Sequence, residues 1–372
     1  MRASIKQMEN PSLVGNSHPS GKRTKLELIV TVLQRHIAAA FLIGGAVTAS
    51  ISNPAIAIDK DAHAYNRVLG RGINLGNALE APREGSWGVT LQASYFEAIK
   101  EAGFDSVRIP IRWSAHAMTE PPYEINPVFF KRVDWAIEQA LSRKLAAVIN
   151  VHHYDEMDRD PVRNLPRLLA LWKQIALRYR DWPDNLFFEL FNEPHDGLND
   201  ERWQDTFPQL MRAIRESNPN RMLIVGPAWW NSLDHLSKLH LPEHDRRVIV
   251  TFHYYQPFKF THQGAGWVKD SSAWRGTKWT GTVQEREDLR KDFEKAAAWA
   301  RENRRPLYVG EFGAYQDADM ESRALWTGAV AREADRLGFS WSYWEFCYLF
   351  GAYDPVQRSW RQPLLRALLD KN

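Results

Sequence analysis

A single cysteine, Cys347, in 372 residues excludes an intramolecular disulfide and any cysteine-held metal cluster, so stability must come from packing. Cys347 lies among aromatics in SWSYWEFCYLF (340–350) and reads as a small buried apolar residue. Charge of one sign is also lacking. Six of the basic residues and two of the acids fall in residues 1–57, which leaves 42 Lys/Arg against 43 Asp/Glu in the remainder. A near-neutral body excludes nucleic acid as the expected partner, because binding a phosphate backbone needs a basic face. The apolar run IAAAFLIGGAVTA (37–49) falls short of the roughly 20 residues that cross a bilayer. Preceded by a basic lead and followed by Ala55-Ile56-Ala57, it has the three-part form of an export signal with a small-x-small cleavage site. Residues 1–57 are therefore expected to be a cleaved leader, leaving 58–372 as a secreted or periplasmic protein with no membrane association. No Pro/Ser-rich linker divides that remainder, so one domain and a monomer are expected.

Aromatics are plentiful: 16 tryptophans in an exported chain suggest flat apolar surfaces put to use, as when indole stacks on the C–H face of a sugar ring. Short β-rich runs recur at 70–77, 104–110, 145–153, 186–194, 221–227, 247–255, 306–313 and 339–346. Between them, segments such as 91–103, 129–144, 286–305 and 322–338 carry apolar residues at three- and four-residue spacing, the mark of helices with one buried face. Eight strands alternating with helices predict an α/β fold, a (β/α)8 TIM barrel. An open doubly wound sheet would announce itself with G-x-G-x-x-G after its first strand, and GINLGNALE lacks it.

Active sites of such barrels form at the C-terminal ends of the strands. The exits here deliver Asn77 and Glu80, then Arg108 and Arg112, His152 and His153, and Asn192 and Glu193. The later strands deliver Trp229 and Trp230, His253 and Tyr255, Glu311, and Trp344 and Glu345. Nearly every strand thus ends in a group that hydrogen-bonds, titrates or stacks. Glu193 and Glu311 would face each other across the mouth, an arrangement suited to glycoside hydrolysis, which needs one neutral and one ionised carboxyl group. Arg108 is a cation able to keep Glu311 ionised, and Phe188, Phe191 and the Glu311 charge would raise Glu193. Glu189 points inward and pairs with Arg108 or Arg71. Adjacent strand residues point to opposite faces, so one of His152 and His153 faces the axis, and one of Asn192 and Glu193 unless a bend turns both inward. Two rivals stand beside this reading: a metal-dependent hydrolase built on His152, His153 and Glu156, and a glycan-binding barrel without catalysis.

The segments RGINLGNALE, GFDSVRIPIRW, INVHHYDE, FFELFNEPH, HYYQPFKFTHQGAGW, VGEFG and SYWEFCYLFGAYD resemble those of glycoside hydrolase family 5, the retaining cellulase family A. The resemblance runs from Arg71 to Asp354 and implies a retaining endo-β-1,4-glucanase acting on β-linked polysaccharide, without cofactor or metal. It implies Glu193 as acid/base, Glu311 as nucleophile and Asn192 as donor to the sugar 2-hydroxyl. Arg108 and Tyr255 would support Glu311, His152 and His253 would line the −1 subsite, and Trp344 would be its floor. The run GINLGNALEAPREGSWG looks most like a branch acting on β-1,4- and mixed-linkage glucan, in which Asn77, Glu80, His153, Trp229 and Trp267 also line the cleft. Action on mannan, glucomannan or xyloglucan is the alternative that the resemblance leaves open.

Overall fold

The computed structural model describes residues 61–370; the expected leader lies outside them. Eight parallel strands close into a barrel in chain order: β1 Arg71–Asn74, β2 Ser106–Ile109, β3 Ala146–Asn150, β4 Leu186–Glu189, β5 Leu223–Val225, β6 Val248–His253, β7 Leu307–Phe312 and β8 Ser340–Tyr343. The barrel expected from the strand–helix rhythm is the fold observed. Among the described residues, no helix is long and apolar enough to cross a membrane.

Because strand side chains alternate, each strand serves two cores. Val107, Ile109, Ala147, Ile149, Phe188, Val250, Val309 and Trp341 point outward into the large apolar layer beneath the helices. Ala146, Val148, Phe187, Ile224, Ile249 and Tyr308 point inward and form a separate cluster. That inner cluster is closed from below by α1 (Ala62–Leu69), whose Ala62, Tyr65 and Leu69 pack into it. Asn66 of α1 donates to the Leu307 carbonyl and accepts from the Ser340 hydroxyl, so the plug is bonded to two strands. Registers Asn74↔Arg108, Asn150↔Glu189 and His253↔Glu311 then set polar side chains in the layer above.

The outer helices are α2 Ala93–Ala102, α3 Pro127–Ser142, α4 Pro161–Arg178, α5 Asp200–Arg215, α6 Val283–Asn303, α7 Met320–Leu337 and α8 Gln362–Leu369. Their ends follow local chemistry. Asn126 caps α3 by accepting from the Val128 N–H, with Pro127 in the first turn. Thr282 and Glu285 form a capping box on α6, and Gly338 ends α7 at φ 73°. After β5 the chain makes only short turns, including the 3₁₀ helix Leu233–Lys238, before it enters β6.

Candidate active site

Arg108 organises the mouth of the barrel. Its guanidinium is fully buried and all three nitrogens are engaged. Nε and Nη2 donate to the two Glu189 oxygens at 2.6 and 2.8 Å, and Nη2 also donates to Asn192 Oδ1 at 2.6 Å. Nη1 donates to Asn74 Oδ1 at 2.8 Å and to Glu311 Oε1 at 2.6 Å. Glu189 therefore pairs with Arg108, whereas Arg71 reaches Asp335 on α7. The Tyr255 hydroxyl donates to the other Glu311 oxygen at 2.9 Å. Burial and the Glu311 charge hold that hydroxyl far above its ordinary pKa, so it remains a donor. Burial raises Glu311 as well, while the Arg108 guanidinium pulls against it and favours the ionised form.

Glu193 reaches the same space by a bend. β4 ends at Glu189, and Glu193 takes a left-handed backbone at φ 50°, which few residues other than glycine adopt. The turn lifts strand alternation, so Asn192 reaches Arg108 while Glu193 reaches His253. His253 Nδ1 lies 2.7 Å from Glu193 Oε1, and its Nε2 lies 3.2 Å from the Asn231 amide nitrogen. An amide N–H donates to Nε2, which places the imidazole proton on Nδ1 and aims it at Glu193. Burial lowers His253 to about 4, so the ring is neutral across the ordinary working range. A quarter of the Glu193 side chain faces the opening, and protein encloses the rest. That burial raises its carboxyl to about 7. Phe188 has no part in this: it faces outward onto Trp172, and Phe191 packs on Trp203. One oxygen of Glu193 and one of Glu311 lie within 4.8 Å of each other, so the two carboxyl groups face the same space.

His152 and His153 both lie at the mouth, contrary to the alternation expected of them, because β3 ends at Asn150. Their rings meet at 4.7 Å; His152 stacks parallel to Trp344 at 5.5 Å, and His153 meets Trp87 edge-on. Burial holds His152 well below its ordinary pKa and lowers His153 to about 4, so both are neutral hydrogen-bonding groups. Trp344 stands over Gly76, where an added Cβ would meet the indole at 2.9 Å. Asn77, half-buried at φ 63°, follows directly. Glu80 is only 1% exposed and takes the backbone N–H groups of Asn77 and Ala78, so it first shapes the turn that carries Asn77. Trp229 and Trp267 are exposed at 37% and 53% and stand further out. Trp267 connects to Tyr255 through His262, and Trp229 connects to His195 through Trp230.

Sequence reasoning missed Asn74 and Asn231, which anchor Arg108 and His253, and it missed His195 and His262. Asn231 sits in a run of three left-handed residues, Trp229 to Asn231, and nothing in the local sequence signals that geometry. Glu345 stands at a strand exit, yet its carboxylate accepts the backbone N–H groups of Cys347, Tyr348 and Phe350 and so shapes that turn.

His152, His153 and Glu156 form no compact three-donor group among the described residues. Among the described residues, the three-donor group close enough for a metal ion is Glu193, His253 and Glu311. The Arg108 guanidinium at 2.6 Å from Glu311 already supplies a cation there and disfavours a second.

The model of the Cellulase (glycosyl hydrolase family 5) family matches residues 69–349. Endoglucanase H of Acetivibrio thermocellus is 38% identical over 288 residues, covering 77% of this chain and 30% of that protein. The chain thus spans about a third of the length of the curated relatives it matches first, such as this one and Cellulase/esterase CelE at 35%. The crystal structure of endoglucanase Cel5A from Thermotoga maritima superposes with a TM-score of 0.82 at 51% identity, over 83% of this chain and all of that one. A structure of the same T. maritima protein with mannotriose matches equally, at TM-score 0.82 and 50% identity, over 83% and 100% of the two chains.

Proposed function

The chain belongs to glycosyl hydrolase family 5, the cellulases, and from that membership we propose that it is an endo-β-1,4-glucanase that works by double displacement with retention. The observation that carries the reading is the carboxyl pair. Glu311 is held by one cation and one phenol, Glu193 stays protonated to about pH 7, and their nearest oxygens lie within 4.8 Å. Glu311 attacks the anomeric carbon while Glu193 gives its proton to the departing glycosidic oxygen. In the second step Glu193, now a carboxylate, takes a proton from water, and that water displaces Glu311. The hydrogen bond from Arg108 to Asn192 Oδ1 turns the Asn192 amide N–H toward the mouth, in position to bind the 2-hydroxyl. The stacked Trp344 and His152 give a flat floor for a pyranose ring.

Turnover of barley β-glucan followed by proton NMR tests this: the first-formed reducing end should be the β-anomer, and the α-anomer would overturn retention. Glu311→Gly supplied with azide should yield the inverted glycosyl azide. β-1,4-Mannan is the second reading, favoured by the likeness to a protein solved with mannotriose. Rates on carboxymethylcellulose, lichenan, xyloglucan and glucomannan rank the substrates. Residues 1–57 act as a cleaved export leader in this reading, and the mature protein is a monomer. N-terminal sequencing of the exported protein and its elution volume check both.

A further inference from the structure

His195 is joined to Glu193 and to the aromatic rim at once. Its Nδ1 lies 2.6 Å from the Glu193 carbonyl oxygen, and since a carbonyl only accepts, Nδ1 carries the proton and donates. Its ring lies nearly flat on Trp230, with centroids 5.0 Å apart and planes at 19°. Trp230 in turn donates its backbone N–H to the Pro194 carbonyl at 3.3 Å. The Glu193–Asp196 segment is a strained knot, with left-handed backbone at both Glu193 (φ 50°) and Asp196 (φ 52°), and it persists only where its surroundings fix it. His195 is one such fixture. Behind it stands Asp158, buried, with an Oδ1 that has no hydrogen-bond partner and lies 3.7 Å from His195 Nδ1. In front, Trp230 is 48% exposed, a large apolar ring offered to solvent on the Glu193 flank of the mouth. Trp344 occupies the opposite flank, over Gly76.

We infer that His195 is a positioning residue that couples the carboxyl of Glu193 to the ring of Trp230, so that a sugar seated on Trp230 aligns the Glu193 proton with the bond being cut. The inference rests on Glu193 being the general acid. The sugar next to that acid is the departing one, and of the neighbouring pair Trp229 and Trp230 on its side, Trp230 is the more exposed and the one that touches His195. Binding of the departing sugar and delivery of its proton then share one rigid connection: indole, imidazole, backbone carbonyl and carboxyl group.

Two variants separate the two halves of that connection. His195→Phe keeps a ring against Trp230 and removes the donor to Glu193. His195→Asn places an amide N–H where Nδ1 stood and removes the ring. Both are assayed on cellotetraose, whose leaving sugar needs a proton, and on 2,4-dinitrophenyl β-cellobioside, whose leaving group does not. His195→Phe should lose about 10²-fold in kcat/KM on cellotetraose, the scale of a misplaced catalytic group, with little change on the aryl glycoside. His195→Asn should keep kcat on cellotetraose and raise KM. Equal losses on both substrates, or none on either, overturn the coupling. Thermal unfolding reports whether each variant folds. Should His195→Phe fail to fold, His195→Asn decides: a raised KM with kcat retained supports the coupling, and a fall in kcat with KM unchanged overturns it. A wild-type protein that releases no reducing ends from β-glucan sinks the functional reading itself, whereas an active wild type with unaffected variants sinks only the role of His195.

Discussion

At the scale of residues, the two carboxyl groups differ because their neighbours differ. Glu311 receives hydrogen bonds from a guanidinium and a phenol, whereas Glu193 receives one from a neutral imidazole and is otherwise hemmed in by protein. An acid poised at about 7 must be protonated to work, so kcat/KM should fall as pH rises through that value. Glu193→Gln should remove this alkaline limb and lower kcat on β-glucan by about 10²–10⁴-fold, the usual range for a general acid, with the unfolding midpoint little changed. A pH–rate profile of both proteins checks it. Arg108 carries a structural burden as well. Its pair with Glu189 has no exposure on either side, so Arg108→Met leaves a buried carboxylate without its cation. A loss of about 3–5 kcal/mol in unfolding free energy is expected, read by denaturant titration, together with loss of activity.

At the scale of elements, the site is made where the strands stop. β3 ends two residues before His152 and β4 three residues before Asn192, and the chain beyond them is free of strand alternation. This is why His152 and His153, and Asn192 and Glu193, each serve the same mouth. The ends of β7 and β8 approach so closely that a Cβ on Gly313 would lie 1.9 Å from the Trp344 carbonyl. Gly313→Ala must therefore push Trp344 off its place above Gly76. A lower unfolding midpoint and a raised KM on soluble β-glucan are expected, measured by calorimetry and steady-state kinetics.

At the scale of the molecule, barrel closure brings β4 and β7, three strands apart, to one mouth and carries a polar layer above an apolar one sealed by α1. Burying that much polar chemistry makes stability depend on pH. Burial raises Glu80 and Asp158 to about 8 and Glu193 and Glu345 to about 7, from unfolded values near 4.5 or 3.8. A carboxyl raised on folding binds its proton better when folded, so its contribution falls as pH climbs toward the folded value. The buried imidazoles of His153, His253 and His262 oppose this: lowered to about 4 from 6.5, they favour folding as pH rises through that interval and are silent above it. Between about pH 6.5 and 8 the carboxyl groups act alone. The unfolding midpoint should therefore be lower at pH 8 than at pH 6.5, as a calorimetric pH series would show.

The barrel was legible because periodicity is local: apolar runs of strand length recur eight times, and most are followed by a helix with one buried face, which leaves little else to build. The carboxyl pair was legible for the same reason, since Glu193 and Glu311 each follow an apolar strand in a segment of only a few residues. Tertiary structure alone decided how those groups are held. That Arg108 bonds Glu189, Asn192, Asn74 and Glu311 together depends on four strands meeting in one layer, and their separation in sequence carries no trace of it. The left-handed turn at Glu193, the Asn231 amide behind His253 and the His195 tie to Trp230 likewise arise from contacts between distant loops. Residue type and spacing determine which groups arrive at the mouth; the closed barrel determines which of them touch.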